Sequence, residues 1–150
     1  MEEEATAISA EWRVRSMNNR YLYRAKHSLN SKKWHIGNLV EEPDGLYLRD
    51  NKNNIMVYIQ DPSTICQCTG LKDKNGNLIW ENDICRRILL PTKRIKTIFR
   101  IAYVPYKCCL SAIDLDGSNV TFLSDYINNQ YEVEVIGNIF DNPELLQNYE

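Results

Sequence analysis

This 150-residue sequence lacks most features that mark an enzyme, a membrane protein or a secreted protein. It has two histidines and no Gly-x-Ser-x-Gly, glycine-rich phosphate-binding or His-Glu-x-x-His motif. No apolar run approaches the length of a transmembrane helix. Its first residues, 1–4, are acidic, unlike the basic start of a secretory signal. These absences predict a non-enzymatic cytoplasmic protein without a membrane segment, a cofactor or an evident small-molecule substrate.

The five cysteines favour free thiols over a disulfide framework or a metal site. An odd number cannot pair completely within one chain. Cys66 and Cys68 are separated by one residue, whereas zinc sites usually separate such ligands by two to four. A metal held by these two residues and the Cys108–Cys109 pair is the minor alternative. We expect small buried residues in a reducing cytosol, and no metal.

The segment 67–84 contains the clearest local signal, the turn sequence Asp73-Lys74-Asn75-Gly76-Asn77. Asn-Gly favours positive φ at little steric cost, and apolar residues flank it, which predicts a β-hairpin. Thr69-Gly70 predicts a tight turn, and Asp73 an Asx-type turn. Glu81 and Asp83 are two apart and could act as paired carboxylates. Hydrogen bonding of backbone amides beside a turn is the favoured interpretation.

Short runs with period-two alternation fill much of the chain and predict β-strands separated by turns every eight to twelve residues. Phe99, Ile101 and Tyr103 share one face of such a run, and Arg100 lies on the other. The predicted strands are 21–23, 34–40, 46–48, 55–59, 78–80, 84–90, 97–104, 108–115, 120–123 and 131–135. Strands this short suit a strongly curved antiparallel barrel.

Charge is segregated along the chain, although the net charge is −2. Residues 12–40 and 84–113 each hold seven Lys or Arg and no acid, and residues 114–150 hold eight acids and no Lys or Arg. The second basic block, interleaved with aromatic residues, is typical of a surface that binds phosphates and stacks bases. Its basic residues are Arg86, Arg87, Lys93, Arg94, Lys96, Arg100 and Lys107.

Two other interpretations of the charge blocks remain open. Glu132 and Glu134 could pair within the chain with Arg86 or Arg100. Alternatively, an acidic surface on one subunit could meet a basic surface on the next. The pI of about 5.7 argues against a strong general DNA-binding protein. We therefore favour pairing within or between chains, with nucleic acid as the alternative partner.

Three motifs together resemble the YopX family of phage and prophage proteins. They are the segment from Gln67 through Gly76 to Ile84, the segment 135–146 (Val-Ile-Gly-Asn-Ile-Phe-x-Asn-Pro-Glu-Leu-Leu), and residues 23–26 with 33–40. The resemblance covers residues 21–146 and implies an SH3-type barrel in the C-terminal part, without an established activity. The family pattern has glycine where Asn82 stands, and Asn also tolerates positive φ. The motif residues assigned an architectural role are Gln67, Thr69, Gly70, Asp73, Asn75, Gly76, Trp80, Asp83, Gly137 and Pro143.

The sequence therefore predicts a mainly β protein. Residues 1–20 form an arm or short helix, 21–61 an N-terminal antiparallel β subdomain, and 62–150 an SH3-like barrel with a short terminal helix. The break falls at Asp61-Pro62-Ser63. The predicted function is a phage- or prophage-encoded module in the bacterial cytoplasm that associates into a homo-oligomer. The alternative is a nucleic-acid-binding accessory protein that uses the basic residues of segment 86–107.

Overall fold

A computed structural model describes residues 19–27, 31–50 and 52–147, so most of the predicted N-terminal arm lies outside the described residues. The fold is mainly β, as predicted. The strands are β1 (Leu22–Lys26), β2 (Trp34–Glu42), β3 (Gly45–Asp50), β4 (Ile55–Tyr58), β5 (Cys66–Lys72), β6 (Leu78–Trp80), β7 (Asp83–Leu89), β8 (Arg94–Val104), β9 (Cys109–Asp114), β10 (Val120–Phe122) and β11 (Tyr131–Asn138). The helices whose bounds fall within these residues are α1 (Leu123–Tyr126) and α2 (Glu144–Gln147), with 3-10 turns at Pro62–Thr64 and Pro105–Lys107. Asn19 and Arg20 are also helical.

The chain divides into two compact units, one ending at Leu71 and the other beginning at Lys72. The predicted break at Asp61-Pro62-Ser63 is a 3-10 turn within the first unit, where an Asp61 Oδ1 accepts a hydrogen bond from the Ser63 amide at 3.0 Å. After this turn β5 returns to pair with β1, so the chain stays in the first sheet. No helix in the described ranges has the length and apolarity needed to cross a bilayer.

The first unit is an antiparallel sheet with the order β4-β3-β2-β1-β5, and β6 follows β5 after the Asn-Gly turn. Ala25, Leu48 and Ile59 form its buried core. Gly37 lies where β2 passes very close to the β3 backbone, since a Cβ atom there would collide with the carbonyl of Arg49. Glycine is therefore needed at this position for the sheet to close on its core.

The predicted tight turn at Thr69-Gly70 is wrong, because both residues lie inside β5. Gly70 does adopt a positive φ of 81°, and the Thr69 hydroxyl accepts a hydrogen bond from the Leu71 amide at 3.1 Å. The strand persists because Cys66 and Cys68 alternate inward and are both buried. Burial of this alternating pair outweighs the local turn preference.

The second unit contains a five-stranded antiparallel sheet with the order β10-β9-β8-β7-β11. Phe99 and Ile101 are buried and the Arg100 between them is not, as the alternation predicts, whereas Tyr103, predicted on the same face, is 55% exposed. Irregularities in pairing near Arg87 and near Gly137 increase the local bend of β7, β8 and β11. β10 and β11 lie at the two ends of this order, so the closed barrel stays a prediction.

Helices α1 and α2 interrupt or follow the strands at specific residues. The predicted strand 120–123 ends at Phe122, because Leu123 begins α1 and is buried. Tyr126 at the other end of α1 is also buried, so this turn contributes to the core of the second unit. Near the C-terminus, Pro143 immediately precedes α2, and the predicted short terminal helix is present.

Candidate functional site

The Asn-Gly turn of the motif is organised by the carboxylate of Asp73, which is 7% exposed. Its Oδ1 accepts hydrogen bonds from the Asn75 and Asn77 amides, both at 2.9 Å. Its Oδ2 accepts one from the Val135 amide of β11 at 3.1 Å. Gly76 has the predicted positive φ, at 81°. One carboxylate thus closes the turn and attaches it to the edge of β11.

A second acidic residue of the motif, Asp83, also accepts a hydrogen bond from a backbone amide. It is 1% exposed, and its Oδ2 accepts a hydrogen bond from the Trp80 amide at 2.8 Å across the β6–β7 turn. Asn82 has a positive φ of 68°, as predicted. Glu81 lies in that turn rather than on a strand face beside Asp83. The arrangement is a structural turn, and the pairing of two carboxylates on one strand face is not formed.

The remaining motif positions also have structural contacts. The Gln67 side chain donates a hydrogen bond to the Arg20 carbonyl at 3.5 Å. Trp80 is buried in the second unit. A Cβ atom at Gly137 would collide with the side chain of Asn142, whose Oδ1 accepts a hydrogen bond from the Asn138 amide at 3.2 Å. Gly137 therefore permits the loop that leads to α2.

Two residues of the basic block pair with the acidic strand β11. Arg86 Nε lies 2.5 Å from Glu134 Oε2, and Lys93 Nζ lies 3.1 Å from Glu132 Oε2. Arg86 and Glu134 are direct neighbours across β7 and β11. The Arg86 hydrogen bond holds the pKa of Glu134 below its usual value. Pairing within the chain is thus observed for these residues, and Arg100 is not the partner of either glutamate.

Arg87 lies in an aromatic setting that the sequence did not reveal. Its guanidinium carbon is 3.6 Å from the ring centre of Tyr131 and 4.3 Å from that of Tyr126. The Tyr126 hydroxyl donates a 2.7 Å hydrogen bond to buried Asp114. Burial, followed by this hydrogen bond, raises the pKa of Tyr126 well above its usual value. Phe99 packs edge-on against Tyr126, with ring centres 4.9 Å apart, so Arg87 stabilises a core cluster instead of presenting a free cation.

The other basic residues of the block lie at the surface. Arg94 and Lys96 are exposed at the start of β8, and within residues 19–27, 31–50 and 52–147 neither forms an ion pair. Arg100 is half-buried on the opposite face from Phe99. Lys107 has its ammonium 4.4 Å from the ring centre of exposed Phe122. Of the seven predicted residues, two are therefore paired (Arg86, Lys93), two contact aromatic rings (Arg87, Lys107), two are exposed (Arg94, Lys96) and Arg100 is half-buried.

The thiols and histidines give no sign of a metal centre in the part of the chain that the structure describes. No group of three or more His, Cys, Asp or Glu residues there has ligand geometry. Cys66, Cys68 and Cys85 are buried free thiols, whereas Cys108 is exposed. Cys108 has a positive φ of 55° at the end of the second 3-10 turn. The expectation of buried cysteines therefore holds for the first three, is wrong for Cys108, and holds only in part for half-buried Cys109.

Sheet topology and turn contacts together define the class: a mainly β protein of two antiparallel sheets whose sequence motif forms backbone-binding turns. A family model described as YopX protein matches residues 11–147, and the chain belongs to the YopX family. The crystal structure of protein YopX from Bacillus subtilis is similar, with a TM-score of 0.54 and 17% identity, covering 84% of this chain and 98% of that one. At this identity the similarity establishes the shared fold. No curated protein matches the chain.

Proposed function

We propose that this YopX-family protein is a non-enzymatic interaction module, encoded by a phage or prophage, that self-associates in the bacterial cytoplasm. The contact is antiparallel pairing between the β4 strands of two copies. Such a contact is self-complementary and suits a two-fold symmetric dimer. Backbone hydrogen bonds would supply most of the affinity, and the side chains of β4 the selectivity.

The observation that carries this proposal is the character of β4 as an edge strand. It has the sequence Ile-Met-Val-Tyr and occupies one end of the first sheet. Ile55 is 55% exposed and Tyr58 is 45% exposed. Proteins usually protect a sheet edge with lysine, proline or a bulge, and β4 has none of these. An unprotected apolar edge is therefore a candidate surface for strand pairing.

Charge complementarity supports self-association less than the sequence suggested. Glu132 and Glu134 of the acidic strand already pair with Lys93 and Arg86 of the same chain. These carboxylates therefore already have ion-pair partners within one subunit. Strand pairing depends little on ionic strength, whereas a contact between charged surfaces weakens as salt rises. Salt dependence therefore distinguishes an edge contact from a charge contact.

The finer fold is also part of the proposal: the second sheet curves into an SH3-like barrel. Along the chain its five strands are β7, β8, β9, β10 and β11, and their spatial order is β11-β7-β8-β9-β10. The last strand thus returns to the edge beside the first, and helical turn α1 lies between β10 and β11. This order, together with the pairing irregularities in β7, β8 and β11, favours curling of the sheet.

The test is Ile55→Lys, compared with Val120→Lys as a matched control. Both residues are exposed and lie on edge strands, but Val120 belongs to β10 of the second unit. Light scattering after size-exclusion chromatography should give a wild-type dimer at about 100 µM in low and high salt. Ile55→Lys should be monomeric and folded, and Val120→Lys should remain dimeric. A monomeric wild type, or a dimer unaffected by Ile55→Lys, would contradict β4 pairing.

A second candidate function, binding of single-stranded nucleic acid, is favoured by the exposed cations at the start of β8. Arg94 and Lys96 flank exposed Ile95 and have no ion-pair partner in the described ranges. The test is fluorescence anisotropy of labelled single-stranded DNA with Arg94→Glu/Lys96→Glu. The control is Lys32→Glu/Lys52→Glu, which makes the same charge change on exposed residues of the first unit. Salt-sensitive binding lost only in the first variant would support this function, and no wild-type binding at low salt would exclude it.

A further inference from the structure

The first unit contains an open cleft of about 670 Å³ whose lining residues all lie between Leu22 and Val57. Gly37 and Leu48 are the buried residues of its lining. Ile36 and Ile55 line the cleft and are 50% and 55% exposed, so its walls present apolar surface to solvent. A volume of this size lies in the range of small-molecule sites, and an apolar floor is typical of them.

Positive charge prevails among the polar side chains of the cleft. Lys33 and Lys52 line it, are exposed, and form no ion pair within the described residues. Asp50 is the acidic lining residue, but its Oδ1 accepts a hydrogen bond from the Lys52 amide at 2.8 Å. Its Oδ2 accepts one from the Asn53 side chain at 3.2 Å. Asp50 is therefore occupied in its own turn, and both ammonium groups are available to an anion.

His35 adds a neutral polar group to the same wall. Its partial burial, followed by the charges of Lys33 and His27, lowers its pKa below the usual value. The imidazole is therefore uncharged at neutral pH and can donate or accept a hydrogen bond. An apolar floor, two ammonium groups and a neutral imidazole together suit a ligand that is apolar along its length and anionic at one end.

We propose that this cleft binds a small anionic amphiphile, with its hydrocarbon chain against Ile36, Ile55 and Val57 and its carboxylate near Lys33 and Lys52. Apolar burial supplies affinity for the chain. The charge of the two lysines gives selectivity for an anion over a neutral or cationic molecule of the same length. Ile55 and Val57 belong both to the lining and to β4. Pairing of β4 uses its backbone edge, and Lys33→Glu/Lys52→Glu leaves β4 unchanged, so the two proposals can fail separately.

The experiment compares decanoate, decanol and decylammonium by calorimetric titration of the full chain, below their micelle concentrations. Wild type should bind decanoate more tightly than decanol, and decylammonium least. Lys33→Glu/Lys52→Glu should weaken decanoate about tenfold and strengthen decylammonium, since it reverses both charges on exposed residues. Arg94→Glu/Lys96→Glu, with the same change of net charge on exposed residues outside the lining, should leave this order unchanged.

A cavity-filling variant separates the cleft from nonspecific binding. Val57 lines the cleft and is half-buried, so Val57→Phe should reduce the affinity for all three amphiphiles without reversing their order. The Trp34 indole, also in the lining, should shift in NMR spectra when decanoate binds. Absence of decanoate binding to wild type would overturn the proposal. So would equal affinity in the lysine variant, or an unchanged affinity in Val57→Phe. Light scattering on wild type and on the lysine variant reports the β4 dimer independently, because neither changes a residue of β4.

Discussion

Replacement of Asp73 is the sharpest test of what the family motif does. Its carboxylate accepts three backbone hydrogen bonds, two within the turn and one from Val135 of β11. A hydrogen bond to a charged group contributes roughly 1.5–3 kcal/mol. In Asp73→Ala the turn amides can form hydrogen bonds to water instead. The Val135 amide, on a partly buried strand edge, loses its acceptor. We therefore expect Asp73→Ala to lower the free energy of unfolding by about 3 kcal/mol, a large part of the stability of a typical domain.

Two comparison variants divide this loss into its parts. Asp73→Asn keeps an oxygen for the turn amides but places an amide nitrogen near the Val135 N–H, so it should lose about 1.5 kcal/mol. Asp116→Ala is the matched control. Asp116 accepts a hydrogen bond from the Ser118 amide at 2.9 Å, but it lies in an exposed turn without a contact to a distant strand. Asp116→Ala should therefore lower the free energy of unfolding least of the three variants.

The measurement is equilibrium unfolding in urea, followed by circular dichroism and by tryptophan fluorescence. Coincident transitions would justify a single free energy of unfolding for each variant. Equal midpoints for Asp73→Ala and Asp116→Ala would refute the reasoning, because the connection to β11 would then contribute nothing. An Asp73→Asn variant as stable as wild type would show that the Val135 bond is not needed.

Two further predictions concern the same unit. Gly76→Val should lower stability by about 1 kcal/mol or more in the same assay, because a β-branched residue resists the positive φ of this turn; Gly76→Asn should cost less, and equal stability of the two would contradict that cause. Glu134→Gln should destabilise by up to about 1 kcal/mol at neutral pH. The pKa of Glu134 is lowered by Arg86, so this stability is present above the unfolded pKa of about 4.3 and is lost as pH falls through the folded value. The difference from wild type should therefore vanish in acid, and a difference that persisted there would contradict an ionic origin.

Local signals predicted much of the fold correctly. The strand β6 matches its predicted bounds, and the positive φ values at Gly76 and Asn82 follow from the residues found there. The alternation around Phe99 and Ile101 identified the buried face of β8. These features depend on residues near each other in the chain, which is why the sequence contains them. The strand β5 is absent from the predicted strands because Thr69-Gly70 favours a turn. Burial of Cys66 and Cys68, with β1 and β6 as neighbouring strands, makes the segment extended.

The site contacts could be predicted only where cross-strand register could be guessed. Glu134 of β11 and Arg86 of β7 lie on strands with alternating side chains, and an ion pair between them is one of the alternatives that the charge pattern predicts within the chain. The setting of Arg87 could not be found in this way. It requires Tyr126 from α1 and Tyr131 from β11 on the same face, and neither residue is near Arg87 in sequence. The cleft was missed for the same reason, since residues of β2, β3 and β4 line it jointly.

The attachment of the Asp73 turn to β11 has a consequence for synthesis on the ribosome. Asp73 and Val135 are 62 residues apart, so the third hydrogen bond cannot form until most of the second unit has emerged. The first unit precedes it in the chain and can acquire its sheet earlier, because domains generally fold in order of synthesis. Before β11 is synthesised, Asp73 can accept hydrogen bonds from the amides of its own turn but not from Val135. Closure of this contact therefore belongs among the last steps of folding, and Asp73 variants should slow or destabilise that step while leaving the earlier sheet intact.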